Sequence, residues 1–170
     1  KELSYNNLLD LESALSTVLE FGYEEKDEPI TKKIASVILK HNNPCGASMS
    51  SSASKAFLNA LECDSVSAFG GIVAFNSNVD RETAINLKEI FLECVVAPSF
   101  DAEALEILKI KKNLRILKLS KDQLPKKNQT SRKSIMGGLL VQDTDDNEDK
   151  PESLITVTKQ KPSNQMYLDL

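Results

Sequence analysis

The chain has a single histidine among its 170 residues, and it directly follows a lysine, in Lys40-His41-Asn42-Asn43-Pro44-Cys45-Gly46. Imidazole is the side chain whose ordinary pKa lies nearest neutrality, so a general base working at pH 7 by the usual route would be His41. An ammonium close to the ring disfavours a second positive charge there and can itself stabilise negative charge developing on a substrate. Lys40 and His41 could therefore take complementary roles on one ligand. A lone histidine more often caps a strand or bonds a turn than it catalyses, and that reading also fits. Neighbours on a regular strand point to opposite faces, so the two groups can share a ligand only where the chain leaves strand geometry. Asn42-Asn43-Pro44 makes that departure plausible.

Two other segments could carry chemistry. Pro44-Cys45-Gly46 invites comparison with the nucleobase deaminases, which hold zinc through a His-x-Glu segment and a Pro-Cys-x-x-Cys segment. Here Ser48 stands where the second cysteine would be, no glutamate follows His41 at the required spacing, and the ligand set is poor. No metal is expected. Ser67-Ala68-Phe69-Gly70-Gly71 could let a ligand approach bare backbone, with Phe69 offering a face to a planar ring. A packed strand with a bulge explains the same residues, and no phosphate-loop spacing is present.

The elements that must position these residues follow from periodicity. Asn7 to Phe21 has apolar residues at helical spacing, with Asn6 or Asn7 as cap. Ile34 to Leu39 is a buried strand delivering Lys40 and His41 at its end. Serine-rich Ser48 onward reads as loop, cap and helix to Leu61. Val66 to Phe75 is a strand interrupted by Gly70-Gly71, and Asp80 caps a helix to about Leu92. Val95-Val96 is a strand, Ala102 to Ile110 a helix, and Leu114 to Leu119 a strand. Residues 120–133 read as an exposed connection. Ile135 to Gln142 is a further strand, 143–153 an acidic loop, Leu154 to Thr158 an edge strand, and Ser163 a helix cap. Strands alternating with helices imply an α/β fold with a mixed, mainly parallel sheet flanked by helices.

A chain of this length buries roughly two-thirds of its unfolded surface, so 1–170 is expected as a single domain with a real core. The net charge of −4 argues against nucleic acid as partner. Three widely spaced cysteines suit reduced and mostly buried thiols, and no apolar run is long enough to span a membrane. A cytoplasmic location is expected. The start at Lys1 and a stop inside an expected helix suggest a piece of something longer.

The Lys40 to Gly46 run, followed by Asp64-Ser65-Val66-Ser67-Ala68-Phe69-Gly70-Gly71-Ile72-Val73-Ala74-Phe75-Asn76, resembles the transformylase part of the AICAR transformylase/IMP cyclohydrolase family. Lys1-Glu2-Leu3-Ser4-Tyr5-Asn6-Asn7, Glu93-Cys94-Val95-Val96-Ala97-Pro98 and Gly137-Gly138-Leu139-Leu140-Val141-Gln142-Asp143 agree in order. The resemblance implies a cytidine-deaminase-like three-layer fold and formyl transfer from 10-formyltetrahydrofolate, a cosubstrate, to the 5-amino group of AICAR. It implies Lys40 and His41 as catalytic residues, and Asn43, Phe69, Gly70 and Glu93 as substrate-binding ones. A homodimer is implied for the full-length protein.

The family's Arg-Tyr-Gly segment, its Lys-His-Val-Lys-Ser-Asn segment, most folate contacts and the cyclohydrolase domain have no counterpart in these residues. By the resemblance, 1–170 is the first half of the transformylase region. Such a piece is expected to turn over negligibly alone, because near-attack geometry needs the whole site. A noncatalytic binding or assembly module and, more remotely, a zinc deaminase-like enzyme remain as alternatives.

Overall fold

In the computed structural model the described residues are 2–25, 34–124, 130–144 and 155–169. One domain is the expectation from length; by contacts the chain divides into two compact units, 1–124 and 125–170.

The larger unit begins with helix α1 (Tyr5–Leu19). Its cap is Ser4, not the expected Asn6 or Asn7: the Ser4 hydroxyl accepts the Asn7 amide and the Asn7 side chain accepts the Ser4 amide, each at 3.1 Å. This reciprocal pair satisfies two backbone donors that a helix start leaves open.

A five-stranded sheet follows, built from β1 (Ile34–Lys40), β2 (Asn43–Ser50), β3 (Gly71–Phe75), β4 (Leu92–Ala97) and β5 (Arg115–Lys118), in the order β2-β1-β3-β4-β5. β1 pairs antiparallel with both β2 and β3, while β3-β4 and β4-β5 are parallel. Helices α2 (Ala53–Cys63), α3 (Arg81–Glu89) and α4 (Ala102–Lys109) complete the unit. Side chains alternate between two cores, save at one irregularity in β4. Leu11, Ala14 and Val18 of α1 pack on Ala35, Val37, Leu39, Ile72, Ala74 and Val96. On the opposite face Phe57, Ala84, Leu87 and Leu108 of the other helices pack on Ile38, Val73, Phe75, Val95 and Ala97. A sheet covered on both sides explains why its strands read as continuous apolar runs. The architecture is the three-layer α/β arrangement that the sequence implies.

Several boundaries differ from expectation. The serine-rich stretch is not a loop at its start: residues 43–50 form β2, folded back on β1 as a hairpin. Val66 does not begin a strand, because the Asp64 carboxylate accepts the Ser67 amide at 2.9 Å and its carbonyl accepts the Ala68 amide, curling 64–70 into turns. α3 ends at Glu89, leaving Leu92 to start β4. The cysteines are not uniformly buried: Cys94 is, Cys45 is partly so, and Cys63 is exposed.

Within the expected connection 120–133, residues 121–123 form a 3-10 turn and 130–133 already belong to a strand; 125–129 lie outside the described residues. The smaller unit contains a hairpin of β6 (Thr130–Ile135) and β7 (Gly138–Asp143), where a single strand from Ile135 is expected. Gly137, at φ +81°, turns the chain there. Residues 155–157 take no strand conformation, contrary to expectation, and Leu154 lies outside the described residues, as does most of the acidic loop, 145–153. Helix α5 (Asn164–Asp169) follows Ser163, whose hydroxyl accepts the Met166 amide at 3.3 Å.

Candidate functional site

β1 delivers Lys40, and the next two residues reverse the chain. His41 and Asn42 have φ of +55° and +62°, the left-handed conformation that both central residues of a tight two-residue hairpin turn require. Lys40 pairs across the hairpin with Asn43. Asparagine and histidine tolerate this backbone better than most residues, although glycine would cost less. One external and one local bond hold the turn: the Asn42 amide donates to Oδ1 of Asp10 on α1 at 2.7 Å, and Nδ2 of Asn43 donates to the His41 carbonyl at 2.9 Å. The departure from strand geometry is thus real and falls at His41 itself. The imidazole is exposed at the tip.

Lys40 is the last residue of β1, directly before that tip. Its ammonium donates to the backbone carbonyl of Phe69 at 2.7 Å. Phe69 lies in the turn before β3, whose conformation depends on Asp64, Gly70 and Gly71. Hydrogen bonds from Ser67 hold the Asp64 carboxyl below its ordinary range. Gly70 has φ +76° and donates its amide to the Phe91 carbonyl at 2.8 Å. A Cβ on Gly71 would lie 2.8 Å from the Leu39 carbonyl oxygen, so a side chain there would collide with β1. The two motifs therefore adjoin because β1 and β3 are neighbours and this glycine lets them close up.

Glu93 reaches the same end of the sheet by a different device. Gly71 pairs with Leu92 but Ile72 pairs with Cys94, so Glu93 is the extra residue of a β-bulge. The bulge lets Leu92 join one core while Cys94 joins the other, and Glu93 turns to α1. Its Oε2 accepts from Nδ2 of Asn7 at 2.6 Å and lies 3.8 Å from Nη1 of Arg115, a largely buried side chain on β5. Nε of Arg115 donates to the Glu2 carbonyl at 2.9 Å.

Lys40, Phe69 and Gly70 are thus in one connected group, Asn43 stands opposite Lys40, and Glu93 lies one residue from the partner of Gly71. All are at the end of the sheet where β1 finishes and β3, β4 and β5 begin. A family model described as the AICARFT/IMPCHase bienzyme matches residues 1–170.

The chain belongs to this family.

Among its relatives is the bifunctional purine biosynthesis protein PurH of Prochlorococcus marinus strain MIT 9312, 86% identical over 100% of this chain and 33% of that protein. PurH of strain AS9601 is 84% identical with the same coverage. The chain spans about a third of the length of the curated relatives it matches. Among solved structures it is similar to RibD of Acinetobacter baumannii, form 2, with a TM-score of 0.45 at 18% identity, over 66% of this chain and 36% of that one.

In this AICARFT/IMPCHase member, sequence reasoning missed Asp10, Phe91 and Arg115 and saw in Asn7 only a helix cap. Asn7 had a signal, since it closes the first segment of the family resemblance. Arg115 had only its place in a strand, where a buried cation stands out. Among the described residues no group of three or more His, Cys, Asp or Glu is placed to hold a metal ion, and no helix is long and apolar enough to cross a membrane.

Proposed function

We propose that this chain carries the Lys-His part of a formyl-transfer site, in which a bienzyme of purine (IMP) biosynthesis moves the formyl group of 10-formyltetrahydrofolate to the 5-amino group of AICAR, giving FAICAR. The observation that carries the reading is the Lys40 ammonium on the Phe69 carbonyl, which joins the family's two most specific motifs at one end of the sheet. Membership in the AICARFT/IMPCHase family supports the reaction class.

His41 takes the proton as the poorly nucleophilic amine attacks the formyl carbon, and Lys40 stabilises the oxyanion of the tetrahedral intermediate. Collapse breaks the bond from that carbon to N10 of the folate, and the departing nitrogen takes a proton. Phe69 offers an exposed ring face to a planar ligand, Gly70 a backbone surface, Asn43 an amide, and Glu93 a carboxylate that can accept from exocyclic N–H groups. These residues need no metal for the chemistry. The chain works within a cytoplasmic protein of its relatives' length, as a homodimer, with cyclohydrolase activity elsewhere in that protein. Alone it turns over negligibly, because only part of the positioning surface is present.

The test uses full-length PurH of strain MIT 9312 with its matching third replaced by this chain. Lys40→Ala and His41→Ala should each lower formyl transfer by roughly 10²-fold or more, and the double variant should lose less than the product of the two. Near-normal rates in both single variants would remove this reading. Formylation of AICAR by the 170-residue chain alone at near full-length rates would remove the claim about the isolated piece.

A further inference from the structure

Phe91 has no part in the reading above, yet it braces the residue that Lys40 holds. It immediately precedes β4. Its carbonyl accepts the Gly70 amide at 2.8 Å. Its ring meets that of Phe69 at a centroid distance of 5.2 Å and an interplanar angle of 43°. A ring carbon lies 3.6 Å from where a Cβ on Gly70 would stand. One residue thus bears on Phe69 and Gly70 from both its backbone and its side chain. The Phe69-Gly70 peptide caught between them supplies the carbonyl that accepts the Lys40 ammonium at 2.7 Å.

Burial alone does not explain the pair, because Phe69 is 59% and Phe91 42% exposed. A tilted aromatic pair left this exposed buries little area and instead fixes the relative placement of its two rings. A lysine side chain is long and flexible, so its ammonium stays in one place only where a fixed acceptor holds it. Misplacing a catalytic group by about 1 Å can cost on the order of 10²-fold in rate. We infer that Phe91 is a positioning residue that fixes the Phe69 carbonyl, and through it the Lys40 ammonium, for formyl transfer; the inference rests on the function proposed above.

The same full-length replacement protein tests it. Phe91→Ala and the milder Phe91→Leu should lower kcat for formyl transfer by about tenfold, with KM for AICAR within about threefold. Phe91→Tyr, which keeps the ring, should stay within about twofold of the unchanged protein. The deciding measurement repeats Phe91→Leu in the Lys40→Ala background, where the further loss should be under about twofold because the positioned group is gone. An undiminished tenfold loss in that background, or no loss from Phe91→Leu when Lys40 is present, overturns the inference. Either result leaves the formyl-transfer reading standing as long as Lys40→Ala itself is impaired. A normal rate in both Lys40→Ala and His41→Ala removes that reading, and this inference with it.

Discussion

Asn7, near the start of the first helix, donates a 2.6 Å hydrogen bond to Oε2 of Glu93, 86 positions further along the chain. Arg115 approaches the same oxygen at 3.8 Å. Asn7 is buried, and its own carbonyl oxygen closes the capping box with Ser4, so this one amide both starts α1 and orients a carboxylate at the candidate site.

Replacing Asn7 by alanine should therefore cost more than an ordinary helix cap. It removes the reciprocal bond to Ser4 and a bond to a charged oxygen, and a loss of about 2–3 kcal/mol is expected. Urea denaturation of the chain, followed by circular dichroism, measures it through the midpoint. A loss under about 0.5 kcal/mol would show that neither bond contributes.

The glycines of the two motifs should both lose stability on gaining a single methyl group, but to different degrees. A Cβ on Gly46 would lie 1.9 Å from the Ala60 carbonyl oxygen, where α2 presses on β2, and Gly46→Ala should cost about 3 kcal/mol or prevent folding. At Gly70 nothing lies nearer than 3.6 Å, and only its φ of +76° opposes a side chain, so Gly70→Ala should cost about 1–2 kcal/mol. Thermal melts of the two variants check the order, and equal losses would contradict it.

The three thiols should separate by environment. Burial pushes the Cys94 thiol up to about 12, and burial also raises Cys45, while Cys63 is exposed. Titration of the folded chain with a chromogenic disulfide near pH 8 should find Cys63 fast, Cys45 slow and Cys94 silent until urea is added. Rapid labelling of Cys94 in the folded state would contradict this placement.

The same shift fixes a pH dependence. Between about 9 and 12 the unfolded chain has lost the Cys94 proton while the folded chain retains it, so stability is fully present below about 9 and falls as pH rises. The slope from this group approaches about 1.4 kcal/mol per pH unit. Burial raises the phenol of Tyr23, whose hydroxyl donates to the Leu119 carbonyl at 2.8 Å, and that shift acts in the same direction. Cys94→Ala should flatten the alkaline fall in denaturation midpoint between pH 9 and 11; an unchanged slope would assign it to other groups.

Periodicity alone was enough to find α1, α4, β1 and β5 nearly in place and the centre of β4, because apolar spacing is a local property. The Lys40-His41 and Phe69-Gly70 motifs were legible for the same reason, as short runs of unusual composition. β2 was not legible: Asn43-Pro44-Cys45-Gly46 and the serines after it have weak strand propensity, and they form a strand because the left-handed His41-Asn42 turn lays them on β1. The bulge at Glu93 exists only as a mismatch between two strands. The meeting of Lys40 with Phe69, 29 residues apart, and of Asn7 with Glu93 depends on strand order and register. Local sequence specifies which stretches can bury an apolar face; which polar groups then meet at the end of the sheet is decided when strands pair, since a hydrogen bond needs its two atoms within about 3 Å and only the assembled sheet brings them that close.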